Sequence, residues 1–190
     1  NTNPTLQKIE EEYAPIFSAH FDKLYLNSKL YHRIKSIDAK TLQGEDKKLL
    51  QYYLQQFEMA GANLSDADKE KMKKINEEIS TLSTQFTNKL LVARKNAALI
   101  IDDVKELDGL SKEEIDAAAA DAKVAGKDGK YLLNVINTTQ QPMLQSLKNR
   151  ATREKLFRAS WTRAEKNDSC DTRDLIEKLA KLRLEKAKLM

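Results

Sequence analysis

The sequence predicts a mainly α protein: a multi-helix bundle with long antiparallel helices and one small two-stranded β element, at about Leu99–Val104 and Tyr131–Asn137. Three observations carry this. Apolar residues recur every three or four positions through most of the chain, which marks helix faces turned toward a core. Only 5 Gly and 3 Pro interrupt 190 residues, while 33% are charged and 41% hydrophobic, a composition suited to amphipathic helices with solvated outer faces. Two short runs, Leu99-Ile100-Ile101 and Tyr131 to Asn137, break the helical period and are rich in strand-forming residues. They read as strands that pair with each other, in a direction the sequence leaves open.

The elements follow in order. Leu6, Ile9, Tyr13, Ile16 or Phe17, His20 and Leu24 make the stripe of a first helix. Pro15 lies inside it and is expected to kink or divide it, because the ring clashes with the preceding turn and lacks an N–H. Leu26-Asn27-Ser28 reads as a short break. Leu30, Tyr31, Ile34 and Ile37 make a second, shorter helix, and Gly44 closes the connector after it. Leu49, Leu50, Tyr53, Leu54, Phe57 and Ala60 make a third, with Gly61 as its C-terminal cap. Ser65 to Asp68 opens the longest helix, since a hydroxyl and two carboxylates suit the positive helix end. Its stripe runs through Met72, Ile75, Ile79, Leu82, Phe86, Leu90, Ala93 and Ala97, and widens at Leu90-Leu91-Val92 beyond a coiled-coil seam.

Between the strands, Leu110 to Ala125 is Ala-rich and helical, with a capping box from Ser111 to Glu114 and a turn at Gly126 to Gly129. Pro142 suits the first turn of a short helix capped by Thr138 or Thr139. The next helix carries Leu156, Phe157, Trp161 and Ala164 on one face and is expected to end near Asn167-Asp168. Asp171 or Thr172 opens the last, with Leu175, Ile176, Leu179, Leu182 and Leu189 inward. That helix has no stop signal after Leu182, and the chain begins at Asn1, so the sequence reads as truncated. No repeat, low-complexity tract or Pro/Gly/Ser-rich linker divides it, and 1–190 is expected to be a single helical region.

Composition disfavours several function classes. The net charge of +4 is interleaved, as in KEKMKKINEE from Lys69 to Glu78, so it raises no strong single-sign field. The aromatics fall at core spacing and do not alternate with basic residues, so no nucleic-acid partner is expected. No apolar run approaches the ~20 residues that span a bilayer, and no membrane partner is expected. Cys170 has no second cysteine to pair with and no histidine base beside it, so it reads as incidental. A cytoplasmic setting is expected, with a periplasmic one as the alternative.

Residues that could carry chemistry are scarce. The two histidines, His20 and His32, are followed by FDKL and RIKS, so neither begins a His-Glu-x-x-His pair. His20, on the first stripe, reads as a partly buried structural histidine. The same scarcity removes Ser-His-Asp and Cys-His catalysis. The sequence therefore offers no catalytic residue and no metal ligand, and its substrate-binding residues are unidentified. The run Asn137-Thr138-Thr139-Gln140-Gln141-Pro142 reads as strand end, cap and helix start, or else as a polar row facing a peptide channel. Arg150, Arg153, Arg158 and Arg163 have the forked geometry that grips a carboxylate, or they pair with Glu154, Glu165 or groups outside the chain.

The segment RATREKLFRASWTRAEKNDSCDTR, Arg150 to Arg173, resembles the zinc oligopeptidase family that includes thimet oligopeptidase and oligopeptidase A, and within it the peptidyl-dipeptidases. The resemblance extends through QYYLQQFEMAGAN and the following LSDADKEKMKKINEEISTLSTQFTNKLL, and through YLNSKLYHRI near the start, so it covers essentially the whole chain. It implies the N-terminal half of a longer, mostly helical peptidase with a deep channel. A peptidyl-dipeptidase releases dipeptides from the C-terminal end of an oligopeptide. In that family a His-Glu-x-x-His helix and a later Glu hold one zinc ion, and none of those positions exists here. The resemblance thus implies helical scaffold and channel wall, inactive alone and with no cofactor of its own. Its partners would be the C-terminal catalytic half and oligopeptide substrates. The alternative is a stand-alone helical interaction module, suggested by the long Met72 to Ala97 stripe.

Overall fold

The computed structural model describes residues 3–190, the side chains of 137–141 excepted. Among the described residues it is mainly α, with eight α-helices and one two-stranded sheet. The chain separates into two compact units, one holding the residues up to Phe86 with Asp174–Met190, the other Thr87–Arg173. The boundaries fall inside one helix and in the first turn of another.

In the first unit, α1 (Pro4–Tyr25) starts where the Asn3 side chain accepts the Leu6 N–H at 2.9 Å and Pro4 takes the first turn. Pro15 does not divide α1, which runs as one helix of 22 residues. One proline removes a single backbone bond, and the turns on either side keep their own ladder. Asn27 caps α2 (Ser28–Lys35) by accepting the Leu30 N–H at 3.0 Å. α3 (Gly44–Ala60) stops at Gly61, whose φ of 102° places it in the left-handed region. There the Gly61 N–H reaches the Glu58 carbonyl and the Ala62 N–H the Phe57 carbonyl at 2.9 Å, the double bond that closes a helix end.

Tyr31, Phe57 and Ala62 form a small buried cluster, with Tyr25, Leu30, Ile34 and Leu54 against it. Its one polar group is satisfied: the Tyr31 hydroxyl donates to Glu58 at 2.8 Å. The first turns of α4 (Asp66–Asn96) and the body of α8 (Arg173–Leu189) also lie in this unit. A second cluster there joins Leu82 to Leu175 and Leu179, with Ile79, Phe86 and Leu182 packed on it. Ile176, expected inward, is exposed, because the buried line of α8 follows Leu175 and Leu179 at i,i+4.

The second unit begins with the last turns of α4. β1 (Leu99–Ile101) pairs antiparallel with β2 (Tyr131–Leu133), Ile100 facing Leu132. Both strands are shorter than the runs that announced them. Asp103 ends the first by capping a 3-10 turn, Val104–Leu107, through the Lys105 N–H at 2.9 Å. α5 (Lys112–Val124) opens on the expected capping box, Ser111 Oγ accepting the Glu114 N–H at 3.2 Å and Glu114 accepting the Ser111 N–H at 2.8 Å. α6 (Asn137–Ser146) starts early enough that Pro142 stands inside it rather than in its first turn. The N-cap position falls on Ile136, so Thr138 and Thr139 lie inside α6 and not at its cap, because the helix begins earlier than Pro142 suggested. The side chains of the polar row up to Gln141 lie outside the described residues.

α7 (Arg150–Trp161) ends well before Asn167. Past Trp161 the side chains turn back on the helix: Thr162 Oγ1 donates to the Arg158 carbonyl at 2.9 Å and Arg163 Nη1 to the Ser160 carbonyl at 2.6 Å. Asn167 then adopts a left-handed φ of 56°. The unit's core collects Ile101, Leu107, Ala118, Leu133, Met143 and Leu156 from β1, the 3-10 turn, α5, β2, α6 and α7, with Leu147 from the connection after α6.

Candidate functional site

α7 carries the arginines that could grip a carboxylate, and each is placed by its own neighbours. Arg153 reaches back from the first turn and donates through Nη1 to the carbonyls of Leu147 at 2.6 Å and Lys148 at 2.7 Å. Those carbonyls close the connection from α6, so Arg153 is a C-terminal cap built by a side chain. Arg158 donates to Glu154 at 2.8 Å across one helical turn, with both groups more than half exposed. Arg163 is held by Ser160, and its Nε is buried with no partner among the described residues. Arg150 is exposed at the first position of α7. It lines a shallow depression of about 400 Å³ with Leu144, Arg153, Glu154 and Phe157. The four guanidinium groups do not converge on one point; two of them complete their own segment.

On the same helix Phe157 and Trp161 stack, ring centres 5.6 Å apart, and Trp161 is 74% exposed. Both were expected on one face with Leu156 and Ala164. Helix α7 turns Leu156 and Thr152 inside instead, leaving the aromatic pair on the outer side. Cys170 is buried, with the Asn96 amide 3.9 Å from its sulfur and Asp168 accepting its backbone N–H at 2.8 Å. Asp171 accepts from the Arg173 side chain and backbone, and these bonds hold its carboxyl far below the usual carboxylate range.

His20 was expected to be partly buried; it is exposed on α1, its ring edge-on to Phe21 at 6.0 Å. The stripe that carries it faces outward, so burial does not follow from its spacing. His32 is exposed on α2. Among the described residues no three His, Cys, Asp or Glu side chains come together in a way that could hold a metal.

One polar constellation had no signal in the sequence. Asp22 on α1 is only 9% exposed and accepts from Asn76 Nδ2 of α4 at 2.7 Å. Lys186 of α8 donates to Asn76 Oδ1 at 2.6 Å. Burial pushes the Asp22 carboxyl up, against the opposing pull of the Asn76 hydrogen bond and the charges of Lys186 and Lys73. The row crosses three helices of the first unit and resembles a polar tie more than a reactive centre, since it holds no nucleophile or histidine base. Among the described residues no helix is long and apolar enough to cross a membrane.

No family model matches the chain. Relatives do. It is 41% identical over 194 residues to the dipeptidyl carboxypeptidase of Escherichia coli, covering 100% of this chain and 28% of that protein. It is 40% identical to the dipeptidyl carboxypeptidase of Salmonella typhimurium, with the same coverage. It is 30% identical over 197 residues to a probable cytosolic oligopeptidase A of Arabidopsis thaliana, covering 98% of this chain and 28% of the relative. The chain thus spans little more than a quarter of the length of these relatives, and matches them from one end of its own sequence to the other. Over that span it belongs to the family of the dipeptidyl carboxypeptidases and oligopeptidases A.

Proposed function

We propose that this chain is the N-terminal helical region of a zinc metallopeptidase that releases C-terminal dipeptides from oligopeptides. The observation that carries the reading is 41% identity along the whole chain to a protein named dipeptidyl carboxypeptidase, of which it spans 28%. On this reading the one zinc ion, its ligands and the general base belong to the C-terminal catalytic part of the polypeptide. A bound zinc ion supplies an activated water for peptide hydrolysis. The residues here contribute scaffold and channel wall. Both compact units belong to that one enzyme region. The arginines support this division of labour, since Arg153 and Arg163 hold backbone carbonyls of their own unit. On this reading the setting is cytoplasmic, with a periplasmic one as the alternative.

The test is dipeptide release from a short peptide blocked at its N-terminus, assayed with zinc. Two samples are compared: this chain and the longer polypeptide that carries it. Activity in the longer polypeptide alone is the expected result. Inactivity of a folded, zinc-loaded longer polypeptide, or a parent gene that ends with this sequence, puts the interaction-module reading in its place. Activity in this chain by itself would refute the scaffold assignment.

A further inference from the structure

Helix α1 is inverted with respect to water. Its one buried residue is Asp22, while Leu6, Ile9, Tyr13 and Phe17 are each about half exposed, between 47% and 60%. These four follow each other at three- and four-residue steps, so they share one face. With Glu10 and Ala14 they line a depression of about 550 Å³. The Tyr13 and Phe17 rings lie 6.4 Å apart along it. The contact of α1 with the Tyr31–Phe57 cluster is made at its far end, where the Tyr25 and Phe57 rings are 5.2 Å apart, so it leaves this face open. A continuous apolar face of this length on a surface helix marks a missing partner.

We propose that the outward face of α1 is the seat of further polypeptide of the same protein, an apolar segment from the part of the longer family protein that lies outside this chain. The inference rests on the peptidase-region reading and adds to it the place where the two parts meet. The length of chain in question supports this occupant: the relatives extend well beyond the 28% that this sequence spans. Glu10 at the rim adds a charge requirement, so the occupant should carry a Lys or Arg beside its apolar residues.

The experiment introduces F17D on the apolar face, and A19D at an exposed position of α1 outside that face, into both this chain and the longer polypeptide. Thermal unfolding, hydrogen exchange of the α1 amides and molar mass in solution are read for each. The expected result is a lowered Tm in the longer polypeptide for F17D only. This chain should show no change with either substitution, and its α1 amides should exchange faster than the same amides in the longer protein. An equal loss of Tm in this chain would mean that the face is covered from within it and would overturn the proposal. So would an unchanged longer polypeptide, or a dimer of this chain that F17D dissociates. The activity assay on the unsubstituted longer polypeptide is independent of these readings. A covered α1 in an inactive protein would sink the peptidase reading and keep the seat.

Discussion

At the scale of single residues the chain places charge by hydrogen bonding rather than by long-range fields. Asp171, Arg153 and Asp22 each satisfy groups that a helix end or a buried site would otherwise leave bare. Asp22 has a consequence that pH can read. Its folded carboxyl holds the proton more strongly than the unfolded chain does, because burial disfavours the charge. Its contribution therefore favours folding at low pH and is lost as pH rises through the ordinary carboxylate value to the raised folded one. D22N keeps an oxygen that can accept from Asn76 and removes the titration. Relative to the parent, D22N should gain stability in urea unfolding between about pH 3 and pH 7. Parallel stability curves for the two proteins would contradict this.

Individual elements are set by their ends as much as by their stripes. Asn3, Asn27, Ser111 and Asn149 cap helix starts with side-chain oxygens, and Gly61 closes α3 with a backbone that only glycine adopts freely. Gly109 is more constrained still: its φ is 101°, and a Cβ there would lie 2.1 Å from the Ser146 carbonyl oxygen. Gly126 has a φ of 72° but open space around it. G126A should cost about 1–2 kcal/mol, from the left-handed backbone alone. G109A should cost clearly more, because the 3-10 turn must move off the end of α6 as well. Urea midpoints of the two variants decide this, and equal losses would show that the close approach to Ser146 relaxes without penalty. The first strand and α7 came out shorter than their apolar runs for the same reason: Asp103 and Ser160 accept bonds that turn the chain out of the regular ladder.

For the whole molecule, the buried apolar residues gather in three clusters shared between two compact units. The cluster around Leu133, Leu147 and Leu156 belongs to the second unit, and those around Phe57 and Leu82 to the first. Leu156 is fully buried, so L156A should cost roughly 2–5 kcal/mol. Hydrogen exchange should show that loss in Thr87–Arg173, with the α3 amides of the first unit little changed. Equal loss of protection in both units would mean that they open as one.

Much of this was legible from local pattern. Helix order, the Ser111 capping box, the Gly61 cap and the pairing of Leu99 to Ile101 with Tyr131 to Leu133 depend on residues close in sequence or on period, and sequence reports both directly. The family resemblance at Arg150 to Arg173 was legible for the same reason: it is a string of residue identities. The absence of a His-Glu-x-x-His pair also needed no structure. Only the tertiary structure decided which way each stripe turns. Spacing says that α1 has an apolar face; it does not say whether anything covers it, and here that face, with His20, stands in solvent. Nor does spacing say which polar residue will be drawn inside, so Asp22 with Asn76 and Lys186 appeared only once three distant helices were assembled. Periodicity records the side of a helix that prefers to leave water, while burial depends on what the rest of the polypeptide brings against it.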